Sequence, residues 1–235
     1  MDKTIGIIGG LGTETSCSFC LNVNNSIKKV SEGQPRLFME NVPISHKALN
    51  TIARGGFSAE VLGLLVDSVK RLNRAKVDVI VIPCNTVHVF INDLRKISDV
   101  PVLSIIEETA KECKSKLFMK VGVLGSTTTI KEELYATELR KQAIDMVIPN
   151  EEDQRFVSEC IIRIVNQNMV PEDKQRMIEI IEKMREIGVD AIILGCTDLF
   201  LIITPEEVAV PLINSTEVLE KGVVNWVKEN NEEIK

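Results

Sequence analysis

Apolar positions along the chain fall into two kinds of run. Short aliphatic stretches without polar alternation suit strands buried on both faces, as in a parallel sheet. They occur at Lys3 to Gly9, between Pro35 and Pro43 (RLFMENV), from Val77 into Pro83, at Val100 to Leu103, at 119–125, at Ile144 to Ile148, at Val189 to Gly195 and at Val208 to Ile213. Between them lie stretches with helical spacing: the segment ending near Lys29, Phe57 to Lys76, Val87 to Ile97, Ser104 to Lys116, Asp153 to Asn168, Glu172 to Ile187 and Thr216 to Lys228. Pro171 opens the sixth of these at a favoured early position. His46 to Gly56 reads as a loop, with Gly55-Gly56 as its hinge. Strand and helix alternate, so the expected fold is α/β with parallel sheets.

The alternation contains a repeat. Gly6-Ile7-Ile8-Gly9-Gly10 is echoed by Gly122-Val123-Leu124-Gly125-Ser126, and VDVIVIPCNTVH (Val77 to His88) by VDAIILGCTDL (Val189 to Leu199). Gly6 precedes Cys84 by 78 positions and Gly122 precedes Cys196 by 74, which reads as an internal duplication. The chain is therefore expected to form two pseudo-symmetric lobes, each a short parallel sheet flanked by helices. Residues 1–103 plus 211–235 would form one lobe, the last helix packing back on the first half, and 104–210 the other. Open α/β sheets place ligands at the carboxyl ends of their strands. A pseudo-two-fold would then set Cys84 and Cys196 on opposite walls of a cleft between the lobes.

Composition narrows the function classes. With 44% hydrophobic and 26% charged residues over 235 positions, the chain is of ordinary soluble type and long enough for real cores. A formal charge of −6, with no Lys/Arg stripe, argues against nucleic acid as a partner. No apolar run approaches the roughly 20 residues that span a bilayer. The start, MDKTIGIIGG, enters a strand at once, without a signal-peptide layout. A cytoplasmic protein with reduced cysteines is expected, and no membrane partner.

Two thiols in equivalent positions suit proton removal from one face of a carbon and proton return to the other. One works as thiolate and base, its partner as thiol and acid, and the reverse reaction swaps the roles. Helix N-termini nearby would lower a thiol pKa from about 8.5. Asn85, Thr86 and Thr197 can donate hydrogen bonds where charge develops. The glycine turn around Leu11 lets backbone approach a small substrate. Thr127 is N-cap material that also lines the cleft if the duplication holds. His88, one turn beyond Cys84, either tunes that thiol or caps local polar groups. Arg54, Arg36 and Lys47 are the nearest cations for a side-chain carboxylate. Cys113 and Cys160 read as small buried apolar residues. Cys17-x-x-Cys20 lacks the redox-loop setting of a thioredoxin-like dithiol. The first glycine turn departs from Gly-x-Gly-x-x-Gly, which weakens a dinucleotide reading. Two histidines make a Cys/His zinc site improbable, so no metal is expected.

IGIIGGLG, PCNTVH, VGVLGSTTT and LGCTDL, in this order and spacing, resemble the aspartate/glutamate racemase superfamily over essentially the whole chain, and its aspartate racemase branch in particular. The resemblance implies two α/β lobes, no cofactor, Cys84 and Cys196 as the acid/base pair, and substrate contacts from Asn85, Thr86 and Thr197. Ser126 stands where the family usually has Thr. Asp198 is acidic, as in the aspartate branch. Such proteins are often homodimers. The implied activity is cofactor-independent racemisation of an amino acid, aspartate or glutamate first, with a neutral substrate also open. The alternatives are a maleate isomerase, an aryl- or alkylmalonate decarboxylase-like enzyme, or a non-catalytic protein that binds a small carboxylate. Where the branch often has a Lys that helps to hold a distal carboxylate, this chain has Asn166. The glycine turn reads GGLGTETS, and Ser45 or His46 lies near the position of a strand-two Asp.

Overall fold

The computed structural model describes residues 3–231. The first half runs β1 (Thr4–Gly9), α1 (Thr13–Lys28), β2 (Arg36–Asn41), α2 (His46–Ala53), α3 (Ala59–Arg74), β3 (Val79–Val81), α4 (Ile91–Ile97), β4 (Val102–Leu103) and α5 (Ile105–Ser115). The second half runs β5 (Lys120–Gly125), α6 (Thr127–Lys131), α7 (Leu134–Lys141), β6 (Asp145–Val147), α8 (Glu151–Val165), α9 (Pro171–Glu186), β7 (Ala191–Gly195), β8 (Leu212–Asn214) and α10 (Ser215–Asn230). Two four-stranded parallel sheets result, ordered β2-β1-β3-β4 and β6-β5-β7-β8. The two orders are equivalent, as the duplicated sequence pattern implied. Among the described residues, no helix is long and apolar enough to cross a membrane.

Alternation along the inner strands shows why they are apolar, whereas edge strand β2, RLFMEN, is mostly exposed and not, as expected, buried on both faces. Ile5 and Ile7 of β1, Val79 and Val81 of β3, Val121 and Val123 of β5, and Ala191 and Ile193 of β7 all enter one core. That core is shared by the two sheets and filled by α1, α5, α7 and α10. The intervening residues point the other way, as the period of two demands. Ile8 and Ile80 pack under α3 and α4, and Leu124, Ile192 and Leu194 under α8 and α9. Helices therefore cover both faces of the inner strands of both sheets.

The "VD" of each repeat has a local cause. Asp78 accepts from the backbone N–H of Thr4 at 2.7 Å. Asp190 accepts from those of Met119 at 2.7 Å and Lys120 at 2.9 Å. In each half the carboxylate secures the start of the first strand beside the cysteine-bearing one.

Two further expectations change. Residues 46–53 form helix α2, not a loop. Ser45 supplies the N-cap by accepting from the Ala48 N–H, and Ala48 and Ile52 bury one face. Gly55, at φ +86°, stops the helix just beyond its end. The last strand also belongs elsewhere: β8 pairs with β7 in the second sheet, so residues 211–214 do not join the first. In the repeat β8 occupies the place of β4, and the free edge of β7 satisfies its backbone. Helix α10 does return toward the first half, because it packs on α1 as well as α5.

The turn after β1 depends on glycine. Gly10 has φ +88°, and a Cβ there would lie 2.5 Å from Val42 N and 2.7 Å from Val42 O. Gly10→Ala should therefore cost more than about 2 kcal/mol, measured as a lower urea midpoint at unchanged slope.

Candidate active site

Cys84 and Cys196 follow β3 and β7, the central strands of the two sheets, and both line one narrow cavity of about 30 Å³. Short 3-10 turns follow them, Thr86–Phe90 after Cys84 and Leu199–Leu201 after Cys196, instead of long helices. Each thiol is almost fully buried. Asn85, Thr86, Thr197 and Asp198 complete the polar floor. Leu11 reaches the cavity from the β1–α1 turn. The remaining walls come from α2 and α8, through Leu49, Asn50 and Ala53 on one side and Ile161, Ile162 and Val165 on the other.

Burial dominates the electrostatics. It pushes the Cys84 thiol up to about 11; the Val87 N–H opposes this, the Asp198 carboxylate adds to it, and the Thr86 N–H opposes it again. Burial also drives Cys196 well above its ordinary value, followed by the charge of Asp198, with the Asp198 N–H pulling the other way. Lowered pKa values were expected next to helix N-termini. The opposite holds because the adjoining turns are short and loss of water outweighs their N–H groups. Both groups are thiols at neutral pH in this closed cavity. Burial also pushes Cys113 and Cys160 up to about 12, in keeping with inert apolar residues. Among the described residues all six cysteines are free, Cys17 and Cys20 included.

Side chains from both halves hold the floor in place. Asn85 donates to Ser215 Oγ at 3.0 Å and accepts from the Tyr135 hydroxyl at 2.6 Å. One of its two amide N–H bonds is left for the cavity. Ser215 Oγ in turn donates to Leu194 O at 2.8 Å. Sequence reasoning missed Tyr135 and Ser215, which lie among polar and charged neighbours (KEELYATEL and LINSTEVLE) that gave no signal of burial. Thr86 Oγ1 bonds Ser126 Oγ at 2.9 Å across the halves. Asp198 accepts from the Thr15 hydroxyl, and Gly12 lies against it so closely that a Cβ would sit 3.3 Å from the carboxylate. Burial raises the Asp198 pKa and the Thr15 bond lowers it.

The expected residues separate into groups. Cys84, Cys196, Leu11, Asn85, Thr86, Thr197 and Asp198 line the cavity. Ser126 and Thr127 do not. Ser126 caps α6 and braces Thr86, and Thr127 donates to Ser158 Oγ at 2.9 Å. Arg54, at the end of α2, forms a two-pronged ion pair with Glu159 of α8. His88 faces away from the Cys84 thiol. Its Nδ1 is 2.7 Å from Cys84 O, and its Nε2 accepts from the Ile105 N–H at 3.2 Å. Of its two expected roles, capping is the one the geometry supports, since it satisfies the first turn of α5.

The model of the family described as Asp/Glu/Hydantoin racemase matches residues 8–221. The broad specificity amino-acid racemase RacX of Bacillus subtilis (strain 168) is 27% identical over 226 residues, covering 94% of this chain and 96% of its own. The glutamate racemase of Aquifex pyrophilus is 28% identical over 199 residues, covering 80% and 70%. Among solved structures, an aspartate racemase homologue from Pyrococcus horikoshii OT3 superposes with a TM-score of 0.78 at 26% identity, covering 97% of this chain and 100% of its own.

Burial pushes His88 down to about 4 from 6.5, so the folded protein holds it neutral. The unfolded chain takes up a proton below about pH 6.5 that the fold refuses until about pH 4. Stability should fall as pH drops through that window, by roughly 3 kcal/mol in all. Urea titrations of His88→Gln against the parent should show this part of the slope removed.

Proposed function

The chain belongs to the Asp/Glu/Hydantoin racemase family, and from that footing we propose that it racemises a free amino acid by a two-base mechanism, with Cys84 and Cys196 as the bases. The observation that carries the reading is the convergence of these two thiols, from equivalent strands, on one cavity. The α-carbon would lie between them. One thiolate removes the α-proton, the opposite thiol delivers a proton to the other face, and the reverse reaction exchanges the roles. One side chain takes up the α-proton and the other supplies its replacement, so this chemistry calls for no cofactor.

Burial that raises a thiol pKa makes its thiolate a stronger base, which suits a weakly acidic C–H bond. It also makes the thiolate scarce. Asp198 contributes to this for both cysteines. A substrate ammonium beside Asp198 would offset its charge and ease formation of the thiolate as the site fills. The spare Asn85 N–H and the Thr197 hydroxyl, with the Thr86 hydroxyl that Ser126 braces, would receive the substrate carboxylate and the charge that builds on it in the transition state. The cavity, at about 30 Å³, is narrow. Admission of an amino acid therefore requires α2 and α8 to part.

Cys84→Ala and Cys196→Ala should each lose racemisation. The thiol left in each variant can still exchange the α-proton of the enantiomer that faces it. In D₂O, one variant should take deuterium into one enantiomer without inversion, and the other variant into its mirror image. Racemisation at the parental rate in either variant would exclude the two-base scheme. Asp198→Asn removes a charge that raises both thiol pKa values. The alkaline rise of kcat/KM should move to lower pH in that variant, read from a pH series by circular dichroism.

A further inference from the structure

The walls above the two thiols bear on which amino acid fits. Leu49 and Ala53 are one turn apart on α2 and share a face, as do Ile161 and Val165 on α8, with Ile162 beside them. The one polar side chain among them is Asn50, whose Oδ1 accepts from Asn166 Nδ2 at 3.3 Å. Asn166 Nδ2 also donates to Ile162 O at 2.8 Å, and its Oδ1 lies 3.2 Å from His46 Nδ1. The end of α8 is thus closed by two amides and the His46 imidazole.

Charge is distributed one way. Among the described residues, none that lines the cavity is cationic, and Asp198 is its one carboxylate. Of the cations on or at the ends of the two flanking helices, Arg54 binds Glu159 at the mouth and Arg163 of α8 binds Asp173 while lying over Phe156, whereas Lys47 of α2 and Arg155 of α8 are exposed and do not line the cavity. A side-chain carboxylate brought between α2 and α8 would lose its water, gain no counter-ion and face Asp198. An aliphatic side chain would exchange water for the faces of Leu49, Ile161 and Val165.

We infer that the substrate's side chain is aliphatic and is held between α2 and α8, so that the preferred substrates are neutral amino acids of the valine, leucine or methionine type and dicarboxylic amino acids are rejected. This rests on the two-thiol racemase reading and narrows its substrate class. The routes around the argument run through the cations on or at the end of α2. Exposed Lys47 could bend toward the cavity, which Lys47→Ala would reveal in the same assay. Arg54 could leave Glu159 and swing inward to meet a carboxylate, and the test includes that arm.

The experiment uses the purified full chain with both enantiomers of valine, leucine, methionine, lysine, aspartate and glutamate. Circular dichroism follows racemisation, and NMR in D₂O follows α-proton exchange. The expected result is a kcat/KM for the best aliphatic substrate on the order of 100-fold or more above those for aspartate and glutamate. Asn166→Lys should raise kcat/KM for glutamate at least about tenfold, by placing a cation at the end of α8. Turnover of aspartate or glutamate within tenfold of the best aliphatic substrate overturns the inference. If Arg54→Ala then abolishes that turnover selectively, Arg54 is the carboxylate's partner. Lysine as the fastest substrate also overturns it. In either case α-proton exchange persists and the racemase reading stands. Exchange with none of these amino acids is the distinct result that brings down the racemase reading as well.

Discussion

The structure is governed by the meeting of two parallel sheets at their carboxyl ends. A parallel strand buried on both faces has a single open end at which a side chain can reach a ligand. Here the central strands of both sheets end in cysteine, and both thiols open on the same small space. Much else follows from keeping that space shut. The thiols sit in a poor solvent for charge, which holds them protonated, and the polar groups beside them must be satisfied by side chains from across the interface. Thr86 with Ser126, Thr15 with Asp198, and Asn85 with Tyr135 and Ser215 meet that requirement. Each of these contacts joins residues distant in sequence, so the floor of the site exists only in the assembled fold.

The two halves do not behave as independent beads. Their sheets share one apolar core, filled by α1, α5, α7 and α10. Separation at that side would expose a large apolar area, whereas at the opposite side α2 meets α8 chiefly through amides and one half-exposed ion pair. Exposed pairs of this kind contribute at most about 1 kcal/mol. The low-cost motion is thus at the α2–α8 lips, above the thiols.

Strand positions, the duplication and the paired cysteines were legible because they rest on local apolar runs and on spacing. The same holds for Asn85, Thr86, Thr197 and Asp198, which adjoin the cysteines in sequence. Helix α2 was not legible. It is only eight residues long, its apolar face is narrow, and Gly55-Gly56 just beyond it reads as loop. That loss concealed one wall of the cavity. The α8 wall was hidden differently: Cys160, Ile161, Ile162 and Ile164 are all apolar, and periodicity alone does not say which of them face a cavity and which the core. The pKa direction of the cysteines was misjudged for a related reason. Sequence showed the approach of helix-like turns but not their brevity, nor the depth of burial.

Asp198 stands beside one cysteine and has no counterpart beside the other, where Thr86 occupies the matching place. The two walls are thus chemically unequal, although the reaction they serve joins molecules of equal free energy. Because L and D forms are equally stable in water, the ratio kcat/KM must come out the same from both directions. The imbalance at Asp198 can still appear in turnover and saturation separately: a hand that is turned over faster must be held more loosely, in the same proportion.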